Sequence, residues 1–157
     1  LGQMPHSRDY VDALRHPEAL VPGGLLIARP EAPLFFGNAD TVCTAVQERV
    51  LAQPQARGLV LSLEESGDLD GSSVESLCDL AQFLQRQGIV LVLARVKDHV
   101  RDLLDRVQSP QLPASCYSAW SVDDAVQQLQ AQLVQLAGSS APTTPSSSPP
   151  APAPGAG

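Results

Sequence analysis

The chain has 157 residues, of which 43% are hydrophobic and 17% charged, and 10 Lys and Arg against 17 Asp and Glu give a formal net charge of −7. This acidic balance argues against a nucleic-acid-binding domain, which would present a basic face. The longest uninterrupted apolar stretch, Ile89–Ala94, is far shorter than the roughly 20 residues that a membrane-spanning helix needs.

The two ends of the chain differ from its middle. Residues 1–22 contain scattered charges and prolines and are predicted to be an irregular lead-in. They carry no visible signal peptide and begin at Leu1 rather than Met, so we expect a piece of a longer protein. Residues 138–157 are all Gly, Ala, Ser, Thr or Pro, which predicts a disordered or polyproline-like tail. The folded domain is expected at 23–137.

Five short apolar runs are predicted to be strands: Gly24–Ala28, Leu34–Phe36, Leu59–Leu63, Ile89–Ala94 and Cys116–Tyr117. The first two flank Pro30 and Pro33 and are expected to pair at a sheet edge, where proline is tolerated. The third has too little alternation for a strand with one solvated face, so it is predicted to be central and buried.

Four amphipathic helices are predicted between and after these strands. Apolar residues recur at intervals of three and four over 39–50, 74–84, 96–107 and 122–136. Two capping boxes, Ser72-x-x-Glu75 and Ser121-x-x-Asp124, predict where the second and fourth helices begin. The alternation indicates one α/β domain with a mixed, mostly parallel sheet of about five strands and about four helices.

The three cysteines, Cys43, Cys78 and Cys116, are too widely spaced for a disulfide framework or a CxxC metal site. We expect them to be reduced thiols in the core. The three histidines are scattered, so no zinc site is expected.

The loop Glu64–Ser73 is the candidate functional segment, because ligands in open α/β sheets bind at the carboxyl ends of the strands. Between Arg57 and Arg86 the chain has no base and these acidic residues: Glu64, Glu65, Asp68, Asp70, Glu75 and Asp79. Three interpretations of this loop compete.

One interpretation is a phosphohydrolase. Asp68-Leu69-Asp70-Gly71-Ser72 is similar to the nucleophile loop of haloacid-dehalogenase-like phosphatases, where the first Asp attacks phosphorus and the second moves a proton beside magnesium. Lys97 and Asp123–Asp124 are candidates for the remaining partners. However, that loop should follow its strand directly, whereas Glu64–Gly67 intervene here, and the chain lacks room for a cap domain.

A second interpretation is a phosphate or nucleotide cradle at residues 70–73. Ser72, Ser73 and the N–H groups of the first helical turn would donate hydrogen bonds to the anion. The clustered carboxylates would repel it, and neither GxxxxGK nor GxGxxG occurs. We expect no cofactor, and weak nucleotide binding at this loop stays open.

The third interpretation, a non-catalytic interaction domain, is the one that the residues favour. An acidic loop at a helix start stabilises the helix dipole and offers a surface to a basic partner. No His or Lys is near in sequence to activate Ser72 or Ser73 as a nucleophile. The candidate site is a regulatory loop with an acidic docking patch: Asp68, Asp70, Gly71, Ser72 and Ser73 form the loop, and Glu64, Glu65, Glu75 and Asp79 form the patch.

Several runs resemble one family. After the strand Leu59–Leu63, the run Asp70-Gly71-Ser72-Ser73-Val74-Glu75-Ser76-Leu77 resembles the hallmark segment of STAS domains (sulfate transporter and anti-sigma-factor antagonist). The lead-in, with Leu1-Gly2-x-x-Pro5, and the run Leu34-Phe35-Phe36-Gly37-Asn38-Ala39 resemble the linker and first hairpin of the STAS domain that ends SulP-type anion transporters. Val122-Asp123-Asp124-Ala125-Val126 is similar to the start of its last helix, so the resemblance covers about residues 1–136.

This resemblance implies regulation rather than catalysis. It implies a cytoplasmic regulatory and assembly domain of a SulP-type transporter of sulfate, bicarbonate or organic anions. The implied partners are the chain's own transmembrane domain and a second protomer in a homodimer, at the cytoplasmic side of a bacterial inner membrane. We expect Phe35 and Phe36 to pack in the core or at its edge; exposure of either would indicate a docking surface against the membrane domain.

One departure from the family pattern concerns the alternative function, a stand-alone anti-sigma-factor antagonist. In those proteins the serine directly after the conserved Asp is phosphorylated by a kinase partner. Gly71 occupies that position here, Ser72 follows, and Ser73 replaces the usual Gly. The resemblance therefore does not carry the phosphorylation site over, and Ser72 has a sufficient structural role as a helix cap.

Overall fold

The structure of the chain, a computed structural model, describes residues 1–139. Its elements in chain order are β1 (Gly2–Gln3), β2 (Tyr10–Val11), β3 (Leu25–Ala28), α1 (Ala39–Leu51), β4 (Gly58–Ser62), α2 (Gly71–Arg86), β5 (Val90–Ala94), α3 (Asp98–Val107), a 3-10 helix (Ala114–Tyr117) and α4 (Val122–Ser139). The predicted α/β class is confirmed, with four α-helices in the described residues.

The central sheet is parallel and has β4 between β3 and β5. Leu59 of β4 pairs with Leu26 on one side and with Leu91 on the other. Every residue of β4 is buried, as is typical of a strand that is covered on both faces. The predicted central position of the strand at 59–63 is therefore confirmed.

Helices cover both faces of this sheet because successive side chains of a strand point to opposite sides. Leu61 packs into a core with residues of α1 and α2, including Leu77. The neighbouring Val60 faces the other way, into a smaller core with Val126 and Leu129 of α4. Burial of each such side chain stabilises the fold by roughly 1.5–3 kcal/mol relative to its exposure.

The segment Leu34–Phe36 is a loop, so the predicted second strand and its pairing with 24–28 are wrong. Its three successive N–H groups donate to side-chain oxygens of Ser66, Asn38 and Asp70, at 3.0, 2.9 and 2.7 Å. Donors held by side chains cannot take part in a strand ladder, which explains why this apolar run does not join the sheet.

The predicted last strand at Cys116–Tyr117 is also wrong, since both residues lie in the 3-10 helix. The N–H of Cys116 donates to the carbonyl of Pro113 at 2.8 Å, which closes a tight turn after the proline. This turn still lies against β5, where the Cys116 Sγ is 3.4 Å from the carbonyl oxygen of Leu91.

The lead-in is more regular than predicted. Its strands β1 and β2 pair antiparallel, and the backbones of Gln3 and Leu20 exchange two hydrogen bonds of 2.8 Å. Arg8 Nε donates to Asp123 Oδ2 of α4 at 2.8 Å, so the lead-in is attached to the domain body. The boundaries at 22 and 137 stay predictions, and residues 140–157 of the predicted tail lie outside the described residues.

The three cysteines are free thiols, in agreement with the prediction. Cys43 is buried, whereas Cys78 and Cys116 are half-buried. Burial raises the pKa of the Cys43 thiol to about 11, so this side chain stays neutral near pH 7 and behaves as a small apolar residue.

Candidate functional site

The loop Glu64–Ser73 leaves the carboxyl end of β4 and enters the first turn of α2. Two buried residues hold it against the body. Leu69 packs into the core shared with α1 and α2, and the Ser66 Oγ accepts the N–H of Leu34 at 3.0 Å. The loop is thus anchored at two points, while Gly67 and Asp68 between them are exposed.

Asp70 connects two segments through one carboxylate. Its Oδ1 accepts the N–H of Ser73 at 2.8 Å, and its Oδ2 accepts the N–H of Phe36 at 2.7 Å. The Ser73 N–H, followed by that of Phe36, stabilises the ionised form and lowers the pKa of Asp70. Asp70 therefore caps α2 and at the same time holds the Phe36 loop beside the start of this helix.

The predicted capping box of α2 is wrong by two residues. The N-cap is Asp70, with φ −85° and ψ 169°, and Ser72 lies inside the first helical turn with an exposed side chain. Glu75 is also exposed, one turn further on. The Oδ1 of Asp70 accepts the Ser73 N–H at 2.8 Å, and aspartate is as good an N-cap as serine. The box at Ser121-x-x-Asp124 is confirmed, since the N–H of Asp124 donates to Ser121 Oγ at 3.0 Å.

The arrangement does not support the phosphatase interpretation. Asp68, its nucleophile, is exposed and its Oδ1 accepts the N–H of Leu69 at 2.9 Å. The second carboxylate, Asp70, has both oxygens bound to backbone donors. Asp123, a candidate partner, is bound to Arg8. A carboxylate that serves as a helix cap is not positioned to carry a proton to a leaving group.

The start of α2 is also a poor cradle for phosphate. Asp70 already occupies the N–H of Ser73, and a carboxylate at this place repels an anion. The Ser73 side chain is fully buried, and its Oγ has no hydrogen-bond partner among residues 1–139. Of the two serines, only Ser72 is accessible, next to the exposed Gly71.

Tertiary structure brings bases to the acidic loop. Glu64 lies between two guanidinium groups: its Oε1 is 2.8 Å from Arg95, and its Oε2 is 3.8 Å from Arg29. His99 Nε2 is 3.4 Å from the carboxylate of Asp68. Glu64 thus belongs to an ion-pair network rather than to an open acidic surface.

The other members of the predicted patch are spread over a wider area. Glu75 and Asp79 lie on the outer side of α2, where they line a cavity of about 390 Å³ together with the turn after α3, residues 107–111. Glu65 is exposed in the loop itself. The nine predicted site residues therefore surround the start of α2 without forming one cluster.

The exposed pair Phe35 and Phe36 is the feature that sequence reasoning missed. We expected burial, but their exposed fractions are 47% and 77%. Their rings pack edge to face with centroids 5.6 Å apart, beside the Asp70 cap. Asn38, two residues after this short apolar run, would have been the available signal, because its Oδ1 accepts the N–H of Phe35 at 2.9 Å.

Membrane-spanning helices and metal-binding clusters are both absent from residues 1–139. None of the helices described is long and apolar enough to cross a membrane. No group of three or more His, Cys, Asp or Glu in this part of the chain is arranged to hold a metal ion.

Sequence comparison relates the chain to sulfate transporters. Residues 16–119 match the family model of the STAS domain. The chain is 33% identical over 105 residues to a probable sulfate transporter of Mycobacterium tuberculosis, which covers 66% of this chain and 19% of that protein. It is 28% identical over 103 residues to sulfate transporter 1.1 of Arabidopsis thaliana, covering 60% of this chain and 16% of the relative. The chain thus spans about a fifth of the length of these curated relatives.

Structural comparison shows the same fold in solved proteins. The murine Solute Carrier 26 family member A9 anion transporter superposes with a TM-score of 0.71 and 19% identity, covering 83% of this chain and 21% of that chain. A sulfate transporter family protein from Wolinella succinogenes superposes with a TM-score of 0.63 and 20% identity, covering 79% of this chain and 99% of that chain. A putative anti-sigma factor antagonist from Thermotoga maritima superposes with a TM-score of 0.58 and 15% identity, covering 68% of this chain and 88% of that chain. Because the family model matches well over half of the chain and the fold agrees, the chain belongs to the STAS domain family.

Proposed function

We propose that this STAS domain is the non-catalytic, cytoplasmic regulatory and assembly domain of a SulP-type anion transporter. The observation that carries the proposal is the match to sulfate transporters over about a fifth of their length, a region equivalent to this one domain. The proposal includes a transmembrane domain of the same protein as the principal partner and a second protomer as a further one.

The exposed aromatic pair supports contact with a protein partner. Phe35 and Phe36 present apolar surface on a loop whose three N–H groups are held by side chains. Because the loop is already ordered, a partner that binds the rings loses little free energy to fixing the loop backbone. Exposed aromatic residues on a rigid support are common centres of protein interfaces. Asp70, which binds the Phe36 N–H, and Asp68, two residues before it in the chain, favour a basic partner, and cytoplasmic loops of membrane proteins are rich in Lys and Arg.

The test uses sulfate uptake by the complete protein that contains this chain. Phe36→Ala and Asp68→Lys should each lower uptake severalfold at equal membrane abundance, because they remove the apolar contact and reverse its neighbouring charge. Leu51→Ala is the matched control, since Leu51 is another exposed apolar side chain, at the end of α1. Uptake unchanged in both variants would overturn the proposed contact, and a reading frame without membrane spans would overturn the transporter assignment.

The alternative, a stand-alone anti-sigma-factor antagonist, shares the fold but is less well supported by the residues. Its switch would have to act on Ser72, since Ser73 is buried and Gly71 has no hydroxyl. This alternative predicts that a kinase partner labels the domain and that Ser72→Ala abolishes the labelling. Labelling retained in Ser72→Ala would exclude this switch.

A further inference from the structure

A second region, outside the signature loop, has the character of a ligand site. A cavity of about 450 Å³ opens where Arg29 and Arg95 follow β3 and β5, beside Glu64. The lead-in closes one side with Arg8, and the start of α4 closes another with Asp123. The carboxyl ends of parallel strands are the usual location of ligand sites in sheets that are covered by helices on both faces.

Arginine side chains are concentrated in this cavity. Three of the ten Lys and Arg residues of the chain line it, although the chain as a whole carries −7. Arg29 and Arg95 share the single carboxylate of Glu64, so this trio has an excess charge of +1. The other charged side chains of the lining sum to −1, because Arg8 pairs with Asp123 and Asp9, which accepts the Ser7 hydroxyl at 2.6 Å, adds one negative charge. The lining is thus neutral within an acidic molecule.

Glu64 lies between the two guanidinium groups and binds them unequally. Arg29 lies 3.8 Å from Glu64, a loose ion pair, whereas Arg95 lies at 2.8 Å. All three side chains are about two-fifths exposed, with 38% for Arg29, 47% for Arg95 and 35% for Glu64, so they are accessible yet partly shielded from solvent. A guanidinium group can bind two oxygens of one sulfate or phosphate through two parallel N–H donors, and partial burial strengthens such contacts.

We propose that this cavity binds a small inorganic oxyanion of charge −2, held by Arg29 and Arg95 in competition with Glu64. Arg8 contacts the anion from the lead-in side. A bound anion would therefore link the lead-in to the ends of β3 and β5, and the domain would respond to the anion concentration around it. This inference adds a ligand to the domain and does not depend on the proposed transporter function.

The experiment is a titration of the chain with sodium sulfate, followed by NMR at constant ionic strength. The amino terminus is acetylated, because the ammonium group of Leu1 lies at the cavity and would add a charge of its own. We expect saturable shifts of the amide signals of Arg29, Arg95 and Val122, with Kd on the order of 1 mM. Phosphate at pH 8 should compete with sulfate, whereas chloride should not.

Three variants separate a binding site from an ion-pair network. Arg29→Gln and Arg95→Gln should each weaken sulfate binding about tenfold, since each removes one of two charge-assisted contacts. Glu64→Gln should strengthen binding severalfold, because it removes the competing carboxylate and leaves both arginines. Arg106→Ala is the matched control, because Arg106 lies on α3 outside the cavity lining and its Nε donates to the carbonyl of Asp102 at 3.1 Å.

The Glu64→Gln variant is decisive. A purely structural network predicts lower stability without any gain in sulfate affinity, and that result would overturn the proposal. Shifts that grow linearly with sulfate, or that chloride reproduces at equal ionic strength, would also overturn it. The unfolding transition of each variant, followed by Trp120 fluorescence, shows whether the fold is retained.

Discussion

Asp70 shows how much one side chain contributes to this domain. Sequence alone placed it in the candidate loop, beside a serine that was predicted to cap α2. In the structure Asp70 is the cap itself, and its second oxygen binds the N–H of Phe36, 34 residues away in the chain. The cap is a local feature that sequence spacing suggests; the contact with Phe36 needs the fold that brings the two loops together.

Asp70→Ala should lower the Tm of the domain by roughly 3 °C near pH 7, because it removes an N-cap and leaves two N–H groups without their acceptor. The folded-state pKa of Asp70 lies below its ordinary value of 3.8, so its stabilisation is present above that pH and is lost as the pH falls further. The difference in Tm between Asp70→Ala and the unsubstituted protein should therefore shrink as the pH is lowered from 7 to 3. Glu75→Gln, an exposed substitution on the same helix, is the control and should change little.

Asp70→Asn separates the two contacts of this residue. Asparagine caps helices as well as aspartate, but its NH2 group would face the N–H of Phe36, donor against donor. We expect a small change in Tm and faster hydrogen exchange at Phe36. Equal exchange in both proteins would show that the Phe36 loop is held without Asp70.

Arg101 is a second residue whose role only the structure reveals. Its guanidinium group donates to the carbonyl oxygens of Val96, Tyr117 and Ala119, and it stacks at 4.4 Å over the ring of Trp120. The Trp120 side chain is 66% exposed, and the guanidinium group covers one face of its ring. Arg101 thus joins the start of α3 to the segment that precedes α4.

Arg101→Ala should lower the free energy of unfolding by about 2 kcal/mol, since several carbonyl groups lose a charged donor. Urea unfolding followed by the fluorescence of Trp120, the single tryptophan, measures the change. Arg106→Ala removes an exposed arginine of the same helix and should cost less than about 0.5 kcal/mol. Similar losses of unfolding free energy in the two variants would contradict the stabilising role of the Arg101 contacts.

Elements with strong internal patterns were predicted well, and short ones were not. Uninterrupted apolar runs identified β4 and β5, and the spacing of apolar residues identified all four helices. A run of only two or three apolar residues predicts a strand weakly. The wrong strand predictions at Leu34–Phe36 and Cys116–Tyr117 both rest on runs of this length. Their backbone groups bond to side chains or within a turn, which no local pattern indicates.

The contact between β4 and α4 depends on the small size of Gly58. A Cβ at this position would lie 2.6 Å from Cδ2 and 2.8 Å from Cγ of Leu129, a fully buried residue. Gly58→Ala should therefore destabilise the domain by about 1–3 kcal/mol through overpacking. Leu129→Ala alone should also destabilise it, by about 2–5 kcal/mol, through the cavity it leaves.

The double variant tests this contact. With Leu129→Ala present, the added methyl group of Gly58→Ala fills part of the cavity, so the two losses should be less than additive. Chemical unfolding of the four proteins provides the coupling energy. Strict additivity would mean that the two residues do not share the same space.

At the scale of the whole molecule, the lead-in is a packed part of the domain rather than a loose linker. The strand pair β1–β2 is attached through Arg8 and Asp123, and Asp123 also accepts a hydrogen bond from Gln127 at 2.9 Å. The cavity between the lead-in and the sheet is the proposed anion site.

Arg8→Ala should loosen the lead-in without unfolding the body. Loss of one charge-assisted hydrogen bond predicts about fivefold faster amide exchange at Tyr10 and Val11, with protection of β4 unchanged. Arg15→Ala is the control, because Arg15 forms an ion pair of 3.6 Å with Asp12 of its own segment. Equal exchange in both variants would show that Arg8 does not attach the lead-in.

The sequence by itself determined the α/β class, the central strand, the four helices and the position of the candidate loop. These features follow from local periodicity and from runs of apolar residues, which neighbouring positions in the chain encode. Only the tertiary structure decided that Phe35 and Phe36 are exposed, that Asp70 binds the N–H of Phe36, and that Glu64 lies between Arg29 and Arg95. These contacts join residues more than 30 positions apart, and their formation depends on how the elements pack.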